Sequence, residues 1–489
     1  MLTTLSPEKS LQLRTCFLDS GYVEAHLRQH FGVVELPSVQ LRNLPRLMDR
    51  TCEPTLLNAL LRWFWLGLAQ ARKDISEVVP DEVLSLLLDS GMLASDGEGL
   101  VPQTMVVPFD DFLVASDSPA ALYGHQPELV LWPNPTSKFM IRFAVRRLSR
   151  ATLDLGTGTG ILSLGAARHS DAVVATDLNP RAVTFARFNA WLNGVDNIEL
   201  LTGDCFAPVH GRRFDLILSN PPFFITPQTD YMFCDNPMEL DGLCRRLVKE
   251  APAYLNEDGY MQMLCEWAQI SGQPWHERIA EWLDGTGCDA WVMKGTTQDP
   301  AEYAQRRIRE TTPDSSGDEG LYDGYMQYYR QRGVELIHGG LIVLRRRNGS
   351  NWARIEEVPE TANGEMGDVI LATFAAHDLV RSMDGDKLLS IRPKIARNVR
   401  LEQVCCHAES RWQQESMTLR LVRGFPFHMA IQPLVAEFLA ACDGTRTAGE
   451  AIQVFASVAN APMEQVQSEC LVMIRRLLER GFLVAAPTP

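Results

Sequence analysis

The 489-residue chain lacks an excess of basic residues, a C-x-x-C pair and a long uninterrupted apolar run. Its 46 Lys and Arg residues are outnumbered by 61 Asp and Glu residues, and the net charge of -15 argues against broad, sequence-independent binding of nucleic-acid phosphates. The N-terminus does not have the charged and apolar regions of a signal peptide, and Asn58 and Arg62 interrupt the most apolar stretch. We therefore expect a cytoplasmic protein with no membrane span.

The eleven cysteines are odd in number, and most lie within apolar runs, where a buried free thiol is the expected state. The one cluster, Cys405-Cys406-His407, has no further ligands at a suitable spacing, so we predict no metal site. This cysteine usage fits a reducing compartment.

Changes of pattern along the chain predict three domains. Residues 1–120 show helical patterns near 11–31, 55–72 and 80–91, with Ser6-Pro7 as a helix start and Asp96-Gly97 as a hairpin turn before a strand at 100–107. We predict a winged-helix-like domain there. Residues 351–489 are predicted as an α+β extension, for which a winged-helix-like module is one interpretation, with extended pieces to about 423 and then helices at 430–442, 446–457 and 463–480.

Residues 121–350 alternate extended apolar runs with helical ones, which is the pattern of a doubly wound parallel α/β sheet. Seven runs are predicted as strands: 152–155, 172–176, 198–201, 214–219, 259–265, 290–294 and 335–345. A polar stretch at 313–320 is predicted as a loop. We interpret four tryptophans in this region as core packing, and the basic run 306–309 as a solvated helix face.

A glycine-rich loop with the sequence Asp-Leu-Gly-Thr-Gly-Thr-Gly follows the first strand, at residues 154–160. Glycine lets the backbone turn tightly and approach a ligand closely. The spacing is G-x-G-x-G, whereas dinucleotide enzymes prefer G-x-G-x-x-G, so a methyltransferase is favoured over a dehydrogenase. The residues predicted to bind the cofactor here are Asp154, Gly156, Thr157, Gly158 and Gly160.

An acidic residue, Asp177, ends the second strand. A carboxylate at this position can accept hydrogen bonds from both ribose hydroxyls of a nucleoside cofactor. Asn179 precedes Pro180 and can cap the next helix, which leaves Asp177 free to bind. We include both Asp177 and Asn179 in the predicted cofactor site.

A second acidic residue, Asp204, follows the third strand. Its carboxylate can accept a hydrogen bond from an exocyclic adenine amine, while Cys205 or Phe206 flanks the ring. Asp204 and Cys205 therefore complete the predicted cofactor site.

The motif Asn-Pro-Pro-Phe at residues 220–223 ends the fourth strand. An amide or adenine-type nitrogen is a poor nucleophile and has two N–H groups, which the Asn220 side-chain oxygen and the Pro221 carbonyl can accept. The prolines hold these acceptors in place, and Phe223 offers a flat face for stacking. We predict Asn220, Pro221, Pro222 and Phe223 as catalytic residues, with Asn220 also contacting the cofactor.

Together these motifs resemble the class I S-adenosylmethionine-dependent methyltransferases of the HemK type, the release-factor glutamine N-methyltransferases. Small-domain N-methyltransferases of rRNA guanine and tRNA adenine have similar signatures. The resemblance covers roughly residues 130–350 and implies a Rossmann-like seven-stranded sheet, S-adenosylmethionine as cofactor, and a segment at 133–137 that closes over it. The flanks depart from that pattern, because roughly 140 residues follow the predicted catalytic sheet.

Three hypotheses about function follow. The first is N-methylation of a protein glutamine amide, with a translation factor as partner in preference to RNA or DNA. The second is methylation of an exocyclic adenine or guanine amine in rRNA, tRNA or DNA. The third is a catalytically inert, cofactor-binding regulatory protein, against which the intact Asn-Pro-Pro-Phe motif argues.

Overall fold

A computed structural model describes residues 2–36, 43–97, 99–119, 121, 124, 126–311 and 318–486. The chain divides into two compact units, one of residues 1–141 with 147–357 and the other of residues 142–146 with 358–489. The domain divisions at residues 120 and 350 and the winged-helix character of the flanks stay predictions. Most of the loop predicted at 313–320 lies outside the described residues, and a helix begins at Asp318.

The first part of the first unit is helical and ends in short strands. Ser6 caps the first helix by accepting a hydrogen bond from the Lys9 amide, as predicted. The pattern at 11–31 corresponds to two helices, because the backbone turns at Gly21, whose φ is +88°. The helices are α1 (Pro7–Asp19), α2 (Glu24–Phe31), α3 (Leu44–Arg50), α4 (Leu56–Phe64), α5 (Arg72–Ile75) and α6 (Asp81–Asp89).

The strand predicted at 100–107 is instead divided between two strands. The strands of this part are β1 (Gln70–Ala71), β2 (Leu93–Asp96), β3 (Gly99–Pro102), β4 (Met105–Phe109) and β5 (Phe112–Ser116). They form a three-stranded sheet in the order β1-β3-β2 and a separate β4-β5 pair. The predicted hairpin turn joins β2 to β3, with Asp96 opposite Gly99.

All seven strands predicted for the central sheet are present, and an eighth joins its edge. The strands are β6 (Ser149–Leu155), β7 (Ser170–Asp177), β8 (Ile198–Thr202), β9 (Phe214–Ser219), β10 (Leu255–Ile270), β11 (Cys288–Gln298), β12 (Val334–Arg346) and β13 (Ala353–Glu357). Their order is β13-β11-β12-β10-β9-β6-β7-β8. β12 runs antiparallel to both of its neighbours, whereas β6, β7, β8, β9 and β10 are parallel.

The register of the parallel strands brings the predicted motifs to one edge of the sheet. Leu155 at the end of β6 lies opposite both Thr176 on β7 and Ser219 on β9. Asp177 lies opposite Thr202 on β8. Because the carboxyl ends of parallel strands meet at one edge, the loops that follow these strands form one crevice, which is where open α/β sheets bind ligands.

Helices connect these strands and cover the sheet. They are α7 (Pro135–Phe143), α8 (Ile161–Ala167), α9 (Pro180–Leu192), α10 (Gly242–Glu250), α11 (Trp275–Leu283), α12 (Pro300–Thr311) and α13 (Asp318–Gln331). Short 3-10 turns lie at Ala207–Val209 and Ala251–Tyr254. Trp267, Trp282 and Trp291 are each at most 1% exposed, so the prediction of core packing is confirmed for them.

The second unit combines helices with two small sheets. Its helices are α14 (Met366–Ser382), α15 (Gly385–Ser390), α16 (Pro433–Ala440), α17 (Ala448–Ala459) and α18 (Met463–Glu479). Its strands are β14 (Arg392–Ile395), β15 (Val399–Ala408), β16 (Arg411–Leu421), β17 (His428–Ala430) and β18 (Leu483–Ala486). The three C-terminal helices were predicted, whereas α14 lies where extended structure was expected. None of the helices in the described part of the chain is long and apolar enough to cross a membrane.

Candidate active site

The glycine-rich loop begins at Asp154, which is fully buried near the end of β6. One carboxylate oxygen, Oδ2, accepts hydrogen bonds from the Thr157 hydroxyl at 2.6 Å and from the Ser163 hydroxyl and amide at 2.6 and 3.0 Å. These bonds tie the loop to the first turn of α8. The side chain therefore has a fixed orientation before any ligand binds.

The other carboxylate oxygen of Asp154 is buried and has no hydrogen-bond partner in the described structure. Burial raises the pKa of Asp154 from 3.8 to about 6. A buried acceptor without a partner is costly, because its interaction with water is lost and not replaced. The amino group of a methionine moiety is a cation and a donor, and it would satisfy this oxygen.

Three glycines of the loop, Gly156, Gly158 and Gly160, have positive φ angles of 77°, 55° and 83°. A Cβ atom at Gly160 would lie 3.0 Å from the Ala186 Cβ on α9, so a side chain there would collide with the packed helix. A Cβ at Gly156 would point to the Pro221 Cα at 4.0 Å. The cofactor loop and the Asn-Pro-Pro-Phe motif are therefore direct neighbours.

Asp177 lies at the end of β7 and is half-buried. Its two oxygens accept hydrogen bonds from the Gly158 amide at 2.8 Å and the Asn179 amide at 2.9 Å. These bonds orient the carboxylate beside the glycine loop, and burial raises its pKa. Each oxygen keeps a second lone pair, so Asp177 can still accept hydroxyl donors.

Asn179 is buried, and both of its polar side-chain atoms are in use. Its oxygen caps α9 by accepting from the Arg181 amide at 2.9 Å, and its nitrogen donates to the Glu128 carbonyl at 2.9 Å. The predicted cap is therefore confirmed. A direct cofactor contact by Asn179 stays a prediction.

Asp204 is exposed and forms an ion pair with Arg246 at 3.1 Å. A hydrogen bond from the Cys205 thiol and the nearby Arg246 lower the pKa of Asp204. Phe206 is 1% exposed and stacks on Tyr254 with ring centroids 4.4 Å apart, so its ring is part of the core, and a contact with a ligand ring stays a prediction. A contact between the half-buried Cys205 and a ligand ring also stays a prediction.

Asn220 immediately follows β9, and its side-chain nitrogen donates to the Thr136 hydroxyl at 3.3 Å. Thr136 is itself fixed, because its hydroxyl and amide both donate to the Asn134 side-chain oxygen, at 2.6 and 3.0 Å. The 133–137 segment thus lies against the Asn-Pro-Pro-Phe motif. With its nitrogen held in this way, the Asn220 oxygen has no partner in the described structure.

The two prolines differ in how their carbonyls are used. The Pro222 carbonyl accepts a hydrogen bond from the Asn236 side chain at 2.8 Å. The Pro221 carbonyl has no partner among the residues that the structure describes. The two acceptors predicted for a planar nitrogen, the Asn220 oxygen and the Pro221 carbonyl, are therefore the two that remain available.

Phe223 is 8% exposed and belongs to the hydrophobic core, with its ring edge-to-face against Phe224 at 5.1 Å. Stacking of an acceptor on Phe223 stays a prediction. The basic run at 306–309 is solvated only in part, because Arg309 is exposed whereas Arg307 is buried. Arg307 is 4% exposed, with its guanidinium 3.2 Å from the centre of the Phe224 ring, and Arg306 pairs with Glu266.

Sequence reasoning missed Asn236, the hydroxyl role of Thr136 and a group of tyrosines that contact the segment after the motif. Asn236 lies in a turn-rich segment shortly after the motif, but the neighbouring sequence does not indicate that its side chain bonds to the Pro222 carbonyl. Thr136 could have been found from the Asn134-Pro135-Thr136 helix start, which resembles a cap. The tyrosines lie far from the motif in sequence, and no sequence pattern connects them with it.

Comparisons with known proteins agree with this geometry. The family model described as methyltransferase small domain matches residues 134–273, and one described as a domain of unknown function matches residues 372–485. A Methanocaldococcus jannaschii protein named as a protein N5-glutamine methyltransferase is 33% identical over 139 residues, which cover 27% of this chain and 70% of that protein.

Two bacterial relatives are similar over shorter shares of their length. The release factor glutamine methyltransferase of Xylella fastidiosa is 35% identical over 156 residues, 28% of this chain and 56% of that protein. The ribosomal RNA small subunit methyltransferase C of Alcanivorax borkumensis is 30% identical over 146 residues, 30% of this chain and 39% of that protein. The chain thus spans little more than half of the first and less than half of the second.

The strand order, the buried aspartate of the glycine loop and the Asn-Pro-Pro-Phe motif define a class I methyltransferase domain. Within that class, the chain belongs to the HemK-like small-domain, S-adenosylmethionine-dependent methyltransferases.

Proposed function

We propose that this protein transfers a methyl group from S-adenosylmethionine to a planar amino nitrogen, and that the acceptor is a glutamine side-chain amide in a translation factor. The observation that carries the proposal is the pair of unpartnered acceptors at Asn220 and Pro221. They lie beside the loop that begins at Asp154, where an unpartnered buried oxygen matches the amino group of the cofactor.

The residues of the chain suit each part of the cofactor. The free oxygen of Asp154 accepts from the methionine amino group, and Asp177 accepts from the ribose hydroxyls. Asp204 and Cys205 lie after β8, where an adenine ring would sit. When bound, the cofactor supplies an electrophilic sulfonium methyl group.

Asn220 and Pro221 act on the acceptor nitrogen. Its two N–H groups donate to the Asn220 oxygen and the Pro221 carbonyl, which draws the nitrogen out of conjugation and directs its lone pair towards the methyl donor. Thr136 keeps the Asn220 amide in the orientation that presents oxygen. Because these acceptors are already in place, little reorganisation is needed during the reaction. The nitrogen loses one proton after transfer, so no strong base is required.

The names of two relatives support the glutamine acceptor, and the acidic net charge of -15 favours a protein over a nucleic acid. The alternative acceptor, a base amine, is supported by the relative that is named as a ribosomal RNA methyltransferase. Both acceptors have a planar nitrogen with two hydrogens, so the motif itself does not separate them.

Transfer of a labelled methyl group into cell extract separates the two acceptors. We expect labelled material that is lost on protease treatment and survives ribonuclease. Label that survives protease and is lost with ribonuclease would refute the glutamine acceptor and support the base amine. A purified release factor then serves as the defined substrate.

Replacement of Asn220 by alanine tests the mechanism. We expect transfer to fall roughly 100-fold or more, by analogy with loss of one preorganised polar group in other active sites, while cofactor affinity changes little. A matched control is Asn256→Ala, since Asn256 lies near the start of β10, at the opposite edge of the sheet. Near wild-type turnover in Asn220→Ala would contradict the proposed role.

A further inference from the structure

Helices α12 and α13 are inserted between the two antiparallel strands β11 and β12 and pack against each other. This helical pair lies outside residues 134–273, the part of the chain that the methyltransferase family model matches. Its tyrosine side chains contact residues 225–240, here called the post-motif loop, which begins immediately after Phe224. The pair therefore contacts the segment that directly follows the Asn-Pro-Pro-Phe motif.

Two tyrosines hold the first residue of the post-motif loop. The Tyr303 hydroxyl accepts from the Ile225 amide at 3.2 Å, and the Tyr329 hydroxyl donates to the Ile225 carbonyl at 2.8 Å. Tyr303 also donates to Glu266, a buried carboxylate on β10 that pairs with Arg306 at 3.2 Å. Both backbone groups of Ile225 are thus held by the helical pair, and Tyr303 links the amide to Glu266 on β10.

Two further tyrosines hold the loop farther along. The Tyr325 hydroxyl accepts from the Thr226 hydroxyl at 3.0 Å and donates to the Gln228 side-chain oxygen at 2.9 Å. The Tyr328 hydroxyl accepts from the Leu240 amide at 2.9 Å, at the end of the loop. Four tyrosine hydroxyls of one helical pair therefore bond to a single loop.

The helical pair also contacts the motif's neighbour directly. The Arg307 guanidinium covers the Phe224 ring at 3.2 Å and is held by Glu310 at 2.5 Å. Packing alone would be served by phenylalanine, because a buried hydroxyl or guanidinium is costly unless it is bonded. Three of the four hydroxyls bond to backbone groups of the loop, and the Tyr325 hydroxyl bonds to two of its side chains, so these bonds hold the loop in place.

We propose that α12 and α13 position the acceptor: they hold the post-motif loop as the wall against which the target residue lies, and Tyr325 with Thr226 is the positioning pair. This inference rests on the proposed function, because the wall matters only if the 220–223 motif receives an acceptor nitrogen. It assigns acceptor affinity to residues that do not touch the cofactor site.

Tyr325→Phe removes one hydroxyl and two hydrogen bonds to the loop. We expect the KM for a purified release factor to rise about three- to tenfold, the effect of losing one or two ordinary hydrogen bonds, with kcat and cofactor Kd within about twofold of wild type. The matched control is Tyr22→Phe, which removes a buried tyrosine hydrogen bond of 2.9 Å to Val106. Tyr22→Phe should leave the acceptor KM unchanged.

Thr226 provides a rescue test. Thr226→Val should raise the acceptor KM as Tyr325→Phe does, whereas Thr226→Ser keeps the hydroxyl and should restore it. The double variant Thr226→Val/Tyr325→Phe should raise the KM by less than the product of the two single effects. Both substitutions remove the Thr226–Tyr325 bond, whereas each also removes a separate bond to Gln228. Equal effects of Tyr22→Phe and Tyr325→Phe on KM, or independent effects in the double variant, would overturn the proposal.

Hydrogen exchange separates a failure of this inference from a failure of the proposed function. In Tyr325→Phe, amides of residues 226–231 should exchange faster than in wild type, whereas those of β6 should not change. If hydrogen exchange in the post-motif loop is unchanged, the helical pair does not hold the loop in place and the inference is refuted. A wild-type protein that methylates no release factor refutes the proposed acceptor instead.

Discussion

Replacing Asp154 with asparagine should stabilise the cofactor-free protein and remove cofactor binding. The carboxylate is fully buried, one of its oxygens has no partner, and burial raises its pKa from 3.8 to about 6. Holding it ionised in the fold at pH 7 therefore costs roughly 3 kcal/mol, from about 1.4 kcal/mol for each tenfold change in proton affinity. Asparagine has no charge to desolvate.

The increase in the free energy of unfolding should be smaller than this cost of ionisation. An asparagine oxygen can keep the bonds from Thr157 and Ser163, but its NH2 group is then buried without an acceptor, at a cost of about 1–2 kcal/mol. We expect a net stabilisation of about 1–2 kcal/mol at pH 7. Conversely, the variant should lose the stabilisation that saturating S-adenosylmethionine gives the wild type, about 2.7 kcal/mol at 100 times the Kd.

The pH dependence identifies the cause. Because the folded pKa lies above the unfolded one, wild-type stability from this group is fully present below pH 3.8 and is lost as the pH rises through about 6. The advantage of Asp154→Asn should thus grow between pH 4 and 6 and then level off. Thermal unfolding from pH 4 to 8, with and without cofactor, measures it. A variant less stable than wild type at pH 7, or a pH-independent difference, would refute the reasoning.

Two further substitutions test the site's local geometry. Thr136→Val should lower kcat several-fold with little change in cofactor Kd, because the Asn220 nitrogen loses its acceptor. Thr136→Ser keeps the hydroxyl and should restore kcat. Turnover equal to wild type in the valine variant would contradict the role of Thr136 in orienting Asn220. Gly160→Ala should destabilise the protein by about 2 kcal/mol or more, because its Cβ would meet Ala186. Gly158→Ala has open space and should cost only about 1 kcal/mol of backbone strain. Denaturant unfolding compares the two variants, and equal losses of stability would rule out the collision at Gly160.

The sequence by itself determined the central sheet and the order of its motifs. Buried strands read as apolar runs between helical patterns, so all seven strands were predicted, but the antiparallel direction of β12 was not. Asp154, Asp177 and Asn220 could be located because each stands at or next to the end of such a run, and parallel strands end at one edge. The helix α14 was missed because its apolar residues include a β-branched run near its start, which resembles a strand.

Only the tertiary structure decided which side chains remain available and what surrounds them. Phe206 turns inward to Tyr254, Arg307 covers Phe224, and Asn220 takes its orientation from Thr136, 84 residues away in sequence. Local periodicity indicates whether a residue is buried, but it contains no information about which distant polar group its atoms will meet. Hydrogen bonds depend on distance and angle between particular atoms, and these are set only when the elements pack.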